Sequence, residues 1–98
     1  MIEKETFDMN NEQKIRNSKI FGNNIRRLRM NTGLTQEMVV SLLRKKGQTL
    51  SRSIYSQIEC GTYSITVSEL ALLKEIFHTE YEEFFKDIAT DISRSDNK

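Results

Sequence analysis

A short stretch near the middle of the chain, residues 50–61, carries side chains that can donate hydrogen bonds to the edges of DNA bases. Arginine can bond to guanine and glutamine to adenine through paired hydrogen bonds, and serine can bond to bases or phosphates. At about 3.6 residues per turn these side chains gather on one side of a helix, while Tyr55 and Ile58 fall on another. The candidate base-contacting residues are Arg52, Ser53, Ser56 and Gln57. The pattern predicts a helix that contacts DNA, although short amphipathic helices with a polar outer face are common on any globular protein.

Local signals mark the ends of this helix and of an earlier helix near residue 20. Ser51 can accept a hydrogen bond from an unpaired amide at a helix start, and Gly61 can adopt the left-handed backbone that closes a helix. Further upstream, residues 20–31 carry apolar side chains at helical spacing, and Gly33 follows them. We therefore expect one helix over residues 20–31 and another that starts at Ser51.

A second helix is predicted between these two, from Thr35 to Lys46. Thr35 is a favourable N-cap, and Gly47 stops the helix after a basic run. The inner stripe of this helix is predicted to be Val39, Leu42 and Leu43. The exposed amides of its first turn form an anion site, to which Gln36 adds a side-chain donor.

Two helices are predicted after Gly61. Thr66 and Glu69 form a capping box, so one helix begins at Thr66. A last helix begins near residue 80, and its apolar positions recur at helical steps through Ile88 and on to Ile92. Some of these side chains seal the core, and the remainder is predicted to form an exposed patch that pairs with a second copy: Tyr81, Phe85 and Ile88.

Composition favours an all-α fold and argues against several classes of function. The chain has 98 residues, no proline and four glycines, and its strong segments repeat at helical rather than alternating spacing. It has no apolar run of the roughly 20 residues that cross a membrane, and its N-terminus lacks the features of a secretion signal. We expect a cytoplasmic protein.

Cys60 is the only cysteine, which excludes an internal disulfide and a metal cluster of the Cys/His type. The sequence also shows no paired nucleophile and base and no glycine-rich phosphate loop. We expect no enzymatic activity, no metal and no cofactor.

The net charge of +1 is unevenly divided along the chain. Residues 1–18 carry a net charge of −1, residues 19–61 carry +6, and residues 62–98 carry −4. The basic charge is therefore concentrated around the predicted DNA-contacting helix, where attraction to phosphates requires it.

Four spaced motifs can be recognised in order along residues 20–85. They are Asn24-Ile-Arg-Arg-Leu-Arg, Gly33-Leu-Thr-Gln-Glu, Ser51-Arg-Ser-Ile-Tyr-Ser-Gln-Ile-Glu-Cys-Gly and Val67-Ser-Glu-Leu-Ala-Leu-Leu-Lys. Together they resemble the lambda-repressor-like helix-turn-helix family, also called Cro/XRE-type regulators. The resemblance implies a compact five-helix domain over residues 19–88, with a flexible or loosely docked arm over residues 1–18 and a tail over residues 89–98. Residues 35–46 would be the supporting helix and residues 51–60 the recognition helix, joined by a turn that is longer than usual in the family.

The resemblance also implies roles for individual residues. Gln36 matches the family glutamine that binds a phosphate and braces the recognition helix. Arg29 and Glu59 match an ion pair that ties the first helix to the third. The matched base-reading positions are Arg52, Ser53 and Gln57, with Ser56 beside them. The expected phosphate contacts are Thr35, Gln36, Lys45, Lys46, Ser51 and Tyr63.

These observations predict a sequence-specific DNA-binding transcriptional regulator. We expect a homodimeric repressor that reads an inverted repeat in double-stranded DNA through the major groove. An alternative from another class is an antitoxin-like or adaptor module, whose main partner is another protein and whose DNA binding is secondary. The acidic C-terminal half and the apolar last helix suit that alternative.

Overall fold

The computed structural model describes residues 14–15 and 18–88, which form five α-helices and two short β-strands. The helices are α1 (Lys19–Thr32), α2 (Gln36–Lys45), α3 (Arg52–Cys60), α4 (Val67–Phe77) and α5 (Tyr81–Phe84), and the strands are β1 (Lys14–Ile15) and β2 (Ile65–Thr66). The prediction of a compact five-helix fold is confirmed.

Side-chain caps define the starts of the four longer helices. In each case a serine or threonine hydroxyl accepts a hydrogen bond from a backbone amide three residues further on, and these caps are Ser18, Thr35, Ser51 and Thr66. Gly33 and Gly61 close α1 and α3 in the left-handed conformation, with φ angles of 79° and 80°. The boundaries follow the local signals because caps and closing glycines act within a few residues of the chain.

The core lies where the helices meet, and each helix contributes a side chain that is almost completely buried. These are Ile25, Leu43, Tyr55, Leu73 and Phe84. One detail of the predicted inner stripe of α2 is wrong. Val40 is buried, whereas Leu42 is only half-buried and packs against the edge of the core, because α2 is rotated so that its inner face runs through Val39, Val40 and Leu43.

Helices α1 and α3 pack so closely that two glycines are required between them. A Cβ atom on Gly22 of α1 would lie 2.6 Å from the carbonyl oxygen of Glu59, and one on Gly61 would lie 2.6 Å from the carbonyl oxygen of Ser18. Any larger residue would force the two backbones apart. The close contact fixes the C-terminal end of α3 against the start of α1.

The C-terminal segment, residues 80–88, contains less helix than the sequence predicts. Helix α5 has only four residues, and turns follow it up to Ile88. Phe84 is fully buried, with its ring centroid 6.3 Å from that of Phe77 and 6.5 Å from that of Phe21. The predicted extension to Ile92 lies outside the described residues.

A two-stranded antiparallel pairing joins residues before α1 to residues before α4. Lys14 pairs with Thr66 and Ile15 with Ile65. This pairing is not predictable from the sequence, because the two strands are some fifty residues apart and neither has a strand-like pattern. The rest of the predicted arm, residues 1–13 and 16–17, and the predicted tail, residues 89–98, lie outside the described residues.

Candidate nucleic-acid interface

Helix α3 presents a polar face to solvent and buries the opposite face. Arg52, Ser53 and Gln57 are exposed and Ser56 is half-buried. Tyr55, Ile58 and Glu59 are buried against the other helices. The structure therefore brings the four candidate base-contacting residues onto the outer side of one helix.

The first turns of α2 and α3 lie next to each other. Nη1 of Arg52 donates a hydrogen bond of 3.0 Å to Oε1 of Gln36, although the two residues are sixteen positions apart. Thr35 and Glu37 line the same shallow groove. The carboxylate of Glu37 opposes anion binding at its own position, so a phosphate would have to approach from the side of Thr35 and Gln36.

A largely buried ion pair lies directly beneath this groove. Nε of Arg29 is 2.6 Å from Oε2 of Glu59, and Nη2 of Arg29 donates to Oε1 of Glu59 at 3.0 Å. A third donor, Nη1, bonds to the carbonyl oxygen of Leu34 at 2.9 Å. The side chain of Glu59 is 2% exposed and that of Arg29 is 12% exposed, so water scarcely reaches the pair.

Gln36 connects the ion pair to the exposed surface. Its Nε2 donates to Oε1 of Glu59 at 3.0 Å, while its Oε1 accepts from Arg52. Because a carboxylate only accepts hydrogen bonds, Glu59 fixes which end of the Gln36 amide points inward. The outward oxygen then holds the guanidinium of Arg52, so a buried carboxylate sets the position of the exposed arginine.

The ionisation of Glu59 reflects two opposing influences. Burial raises its pKa, and the hydrogen bonds from Arg29 and Gln36 lower it; the hydrogen bonds and the Arg29 charge prevail, so the pKa of Glu59 lies below its ordinary value. The same contacts raise the pKa of Arg29. Both groups are therefore charged at neutral pH.

The Tyr55 hydroxyl is buried beside this pair, where it helps to lower the pKa of Glu59, but it makes no hydrogen bond of good geometry within the described part of the chain. Burial raises the pKa of this hydroxyl, so it stays protonated. Its position indicates that the ring of Tyr55 contributes mainly by filling the core between α1 and α3.

The other predicted phosphate contacts are not gathered at the same place. The hydroxyl of Ser51 caps α3 next to Arg52, and Tyr63 is 36% exposed in the loop after α3. Lys45 is exposed at the end of α2. Nζ of Lys46 lies 3.3 Å from Oε1 of Glu75 in α4, so the structure directs this ammonium toward α4 and not toward Gln36.

The three residues predicted to pair with a second copy lie on the C-terminal segment. Tyr81 is 45% exposed and Phe85 is 41% exposed, whereas Ile88 is half-buried and packs against the core. The ammonium of Lys74 lies 5.3 Å from the ring centroid of Tyr81. Two of the three side chains therefore form an exposed apolar surface one helical turn apart.

Two α1 residues hold this segment through hydrogen bonds that the sequence does not predict. Nδ2 of Asn24 donates to the carbonyl oxygens of Phe84 and Lys86, both at 2.9 Å. Nη2 of Arg27 donates to the carbonyl oxygen of Glu83 at 3.2 Å. No local pattern could reveal these contacts, because they join residues that are 56 to 62 positions apart.

Among residues 18–88 the structure offers no group of three or more His, Cys, Asp or Glu side chains that could hold a metal ion. Within the same residues no helix has the length and apolar character needed to span a bilayer.

Comparison with known proteins gives an informative structural match. No protein-family model and no curated protein sequence matches the chain. Among solved structures, the chain is similar to the restriction-modification controller protein C.AhdI from Aeromonas hydrophila, with 28% sequence identity and a TM-score of 0.59 over 68% of this chain and 94% of that one. The similarity is to a controller protein, in agreement with the prediction that the chain is not an enzyme.

This match and the placement of the four motifs agree. The structure combines the features that the motifs predict: the capped helix α2, the helix α3 closed by Gly61, and the Arg29–Glu59 ion pair between α1 and α3. The fold and the similarity to C.AhdI confirm the resemblance noted in the sequence. The chain has the five-helix fold of C.AhdI and resembles the lambda-repressor-like, or Cro/XRE-type, helix-turn-helix family.

Proposed function

We propose that this protein is a cytoplasmic, sequence-specific transcriptional regulator that binds operator DNA as a homodimer and represses transcription. The observation that carries the proposal is the hydrogen bond between Arg52 and Gln36. It places the first turns of α2 and α3 side by side, so that one can bind a phosphate while the other enters the major groove.

Arg52 and Gln57 are the proposed readers of base identity. Only one nitrogen of the Arg52 guanidinium is occupied by Gln36, so two other N–H groups can form paired hydrogen bonds with guanine. Gln57 lies further along the exposed face and can bond to adenine, while Ser53 and Ser56 contribute single hydrogen bonds to bases or phosphates.

Phosphate contacts would fix the register of this helix on the duplex. Gln36 uses one amide N–H for Glu59 and keeps the second for a phosphate. Thr35 and Ser51 expose their hydroxyls at the starts of α2 and α3. Lys45 and Tyr63 reach solvent, whereas Lys46 would have to leave Glu75, an exchange that costs little because both side chains are exposed.

Two copies would pair through the C-terminal segment. Tyr81 and Phe85 supply the exposed apolar area, and Ile88 borders it. A two-fold axis would place two α3 helices in successive major grooves, about 34 Å apart, which requires an inverted repeat. A dimer that covers such a site within a promoter would exclude the polymerase from the same base pairs, and this is the basis for proposing repression.

The experiment is selection of bound sequences from a random DNA pool at physiological salt, using wild type, Arg52→Ala and Arg44→Ala in parallel. Arg44 is exposed near the end of α2 and lies outside the proposed reading face, so its replacement removes the same charge without removing a base contact. We expect a palindromic motif for wild type and for Arg44→Ala. Arg52→Ala should lose preference at one position per half-site, at a cost of about 1–3 kcal/mol.

Other outcomes would reject parts of the proposal. A motif that is not palindromic would exclude the two-fold dimer. Equal loss of preference in Arg44→Ala and Arg52→Ala would show that Arg52 contributes only charge. Salt-sensitive binding without any enriched motif would reject the regulator, and an antitoxin-like or adaptor role with a protein partner would then be the better explanation.

A further inference from the structure

The C-terminal segment that carries Tyr81 and Phe85 cannot hold its own shape. Helix α5 is a single turn, and its N-cap residue, Glu80, makes no side-chain capping hydrogen bond. Asp87, shortly after the helix, has a left-handed φ of 71°. Because isolated helices of this length are unstable in water, the position of the segment depends on contacts with the rest of the protein.

Two kinds of contact hold the segment, and they constrain it differently. The buried ring of Phe84 packs between Phe21 and Phe77. Such apolar packing fixes where the segment sits but has little directional preference. The ring of Phe85 also packs against Phe21, with the two centroids 5.2 Å apart. Hydrogen bonds are directional, and those from Asn24 and Arg27 therefore add the constraint on how the segment is turned about these rings.

The hydrogen bonds from α1 satisfy three carbonyl groups of this segment. The carbonyl oxygens of Glu82 and Phe85 accept from backbone amides within the segment. Those of Glu83, Phe84 and Lys86 accept from Arg27 or Asn24. A helix end leaves such carbonyls without partners, so α1 supplies the donors that the segment lacks.

We propose that Asn24 is the positioning residue of the dimer surface, and that Arg27 supports it. The buried amide of Asn24, which is 6% exposed, spans two carbonyls and locks the turn from α5 to Asp87. That turn sets the direction in which Phe85 and Tyr81 face a second copy. The inference rests on the proposed pairing through this segment, and it adds that α1 controls how strongly the two copies pair.

The test is the dimer dissociation constant measured by analytical ultracentrifugation without DNA. Asn24→Leu keeps a side chain of similar size but removes both hydrogen bonds, and we expect the dissociation constant to rise at least about tenfold. Asn23→Leu is the matched control, because Asn23 is the adjacent residue, is exposed, and lies beside Glu59 and Cys60 of α3. Its dissociation constant should equal that of wild type.

A further pair of variants separates positioning from general stability. Val40→Ala removes core volume in α2, and it should lower the melting temperature while leaving dimer affinity unchanged when measured on folded protein. If Asn24→Leu does not fold, Arg27→Met replaces it, with Arg26→Met as its exposed control. Arg27→Met should weaken the dimer at least about threefold, because it removes the hydrogen bond to the Glu83 carbonyl, the 3.5 Å ion pair with the Glu83 carboxylate and the 3.4 Å hydrogen bond to Oδ1 of Asn24.

The outcomes distinguish this inference from the pairing surface on which it rests. Tyr81→Glu places a charge on the exposed apolar surface and should dissociate the dimer. If Tyr81→Glu dissociates the dimer while Asn24→Leu and Arg27→Met leave it intact, the positioning role is overturned and the pairing surface stands. If wild type is monomeric, or Tyr81→Glu has no effect, both are overturned.

Discussion

Replacement of Arg29 by methionine should destabilise the protein more than any change to an exposed arginine. Methionine keeps most of the length and apolar stem of the side chain but removes its charge. It leaves the carboxylate of Glu59, which is 2% exposed, with the hydrogen bond from Gln36 but without a cation. Removing one partner of such a pair costs about 3–5 kcal/mol, because the remaining charge stays buried. That is a large part of the about 5–15 kcal/mol that stabilises a typical domain.

The loss of unfolding free energy in Arg29→Met should depend on pH, whereas the loss from a simple packing defect should not. In wild type the pKa of Glu59 is lowered from 4.5, so its contribution to stability is present above pH 4.5 and is lost as pH falls through the lowered pKa. In Arg29→Met, burial without the cation should raise the pKa of Glu59. Its contribution would then be present below pH 4.5 and lost as pH rises. The difference in unfolding free energy should therefore be largest at pH 7 and smaller at pH 4.

The assay is urea unfolding followed by circular dichroism at pH 7 and pH 4, at a fixed protein concentration. Arg26→Met is the control, because Arg26 lies on the same helix and is exposed. It should change the unfolding free energy by less than about 0.5 kcal/mol. A loss below about 1 kcal/mol for Arg29→Met at pH 7, or a loss that does not shrink at pH 4, would refute the reasoning from the buried carboxylate.

Three further results are expected. Tyr55→Phe should change the unfolding free energy by less than about 1 kcal/mol, because the buried hydroxyl makes no hydrogen bond of good geometry and only helps to stabilise the charge on Glu59; urea unfolding checks this. Gly33→Ala should lower the unfolding free energy by about 1–2 kcal/mol, because of its left-handed backbone alone. Gly61→Ala should lower it by about 2–5 kcal/mol, because its Cβ would also lie 2.6 Å from the Ser18 carbonyl oxygen. Equal losses of unfolding free energy would contradict the close contact at Gly61. Lys45→Ala should weaken binding to all DNA sequences and reduce the slope of log affinity against log salt by about 0.9, as measured by fluorescence anisotropy across salt concentrations.

The parts of the fold that follow from sequence are those governed by neighbours in the chain. Thr35, Ser51 and Thr66 cap helices because their hydroxyls need only reach an amide three residues away. Gly33 and Gly61 end helices for an equally local reason. The arrangement of polar residues around α3 follows from the helical period alone.

The parts that do not follow depend on contacts between distant residues. The sequence placed Gln36 and Arg52 in one functional group but could not show that Glu59 orients the Gln36 amide toward Arg52. The short α5 and the role of Asn24 depend on hydrogen bonds across sixty residues. The pairing of β1 with β2 is likewise a matter of tertiary geometry, which a reading by periodicity does not contain.

The span of the Asn24 contacts has a consequence for how the protein is made. A ribosome extends a chain from its N-terminus at about 5–20 residues per second. Asn24 can form its two hydrogen bonds only after the residues 60 and 62 positions further along the chain have been synthesised. All residues of α1, α2 and α3 are translated before residue 61, whereas the C-terminal segment requires residue 86. The helices proposed to read DNA are therefore synthesised first, and the surface proposed to join two copies is completed last.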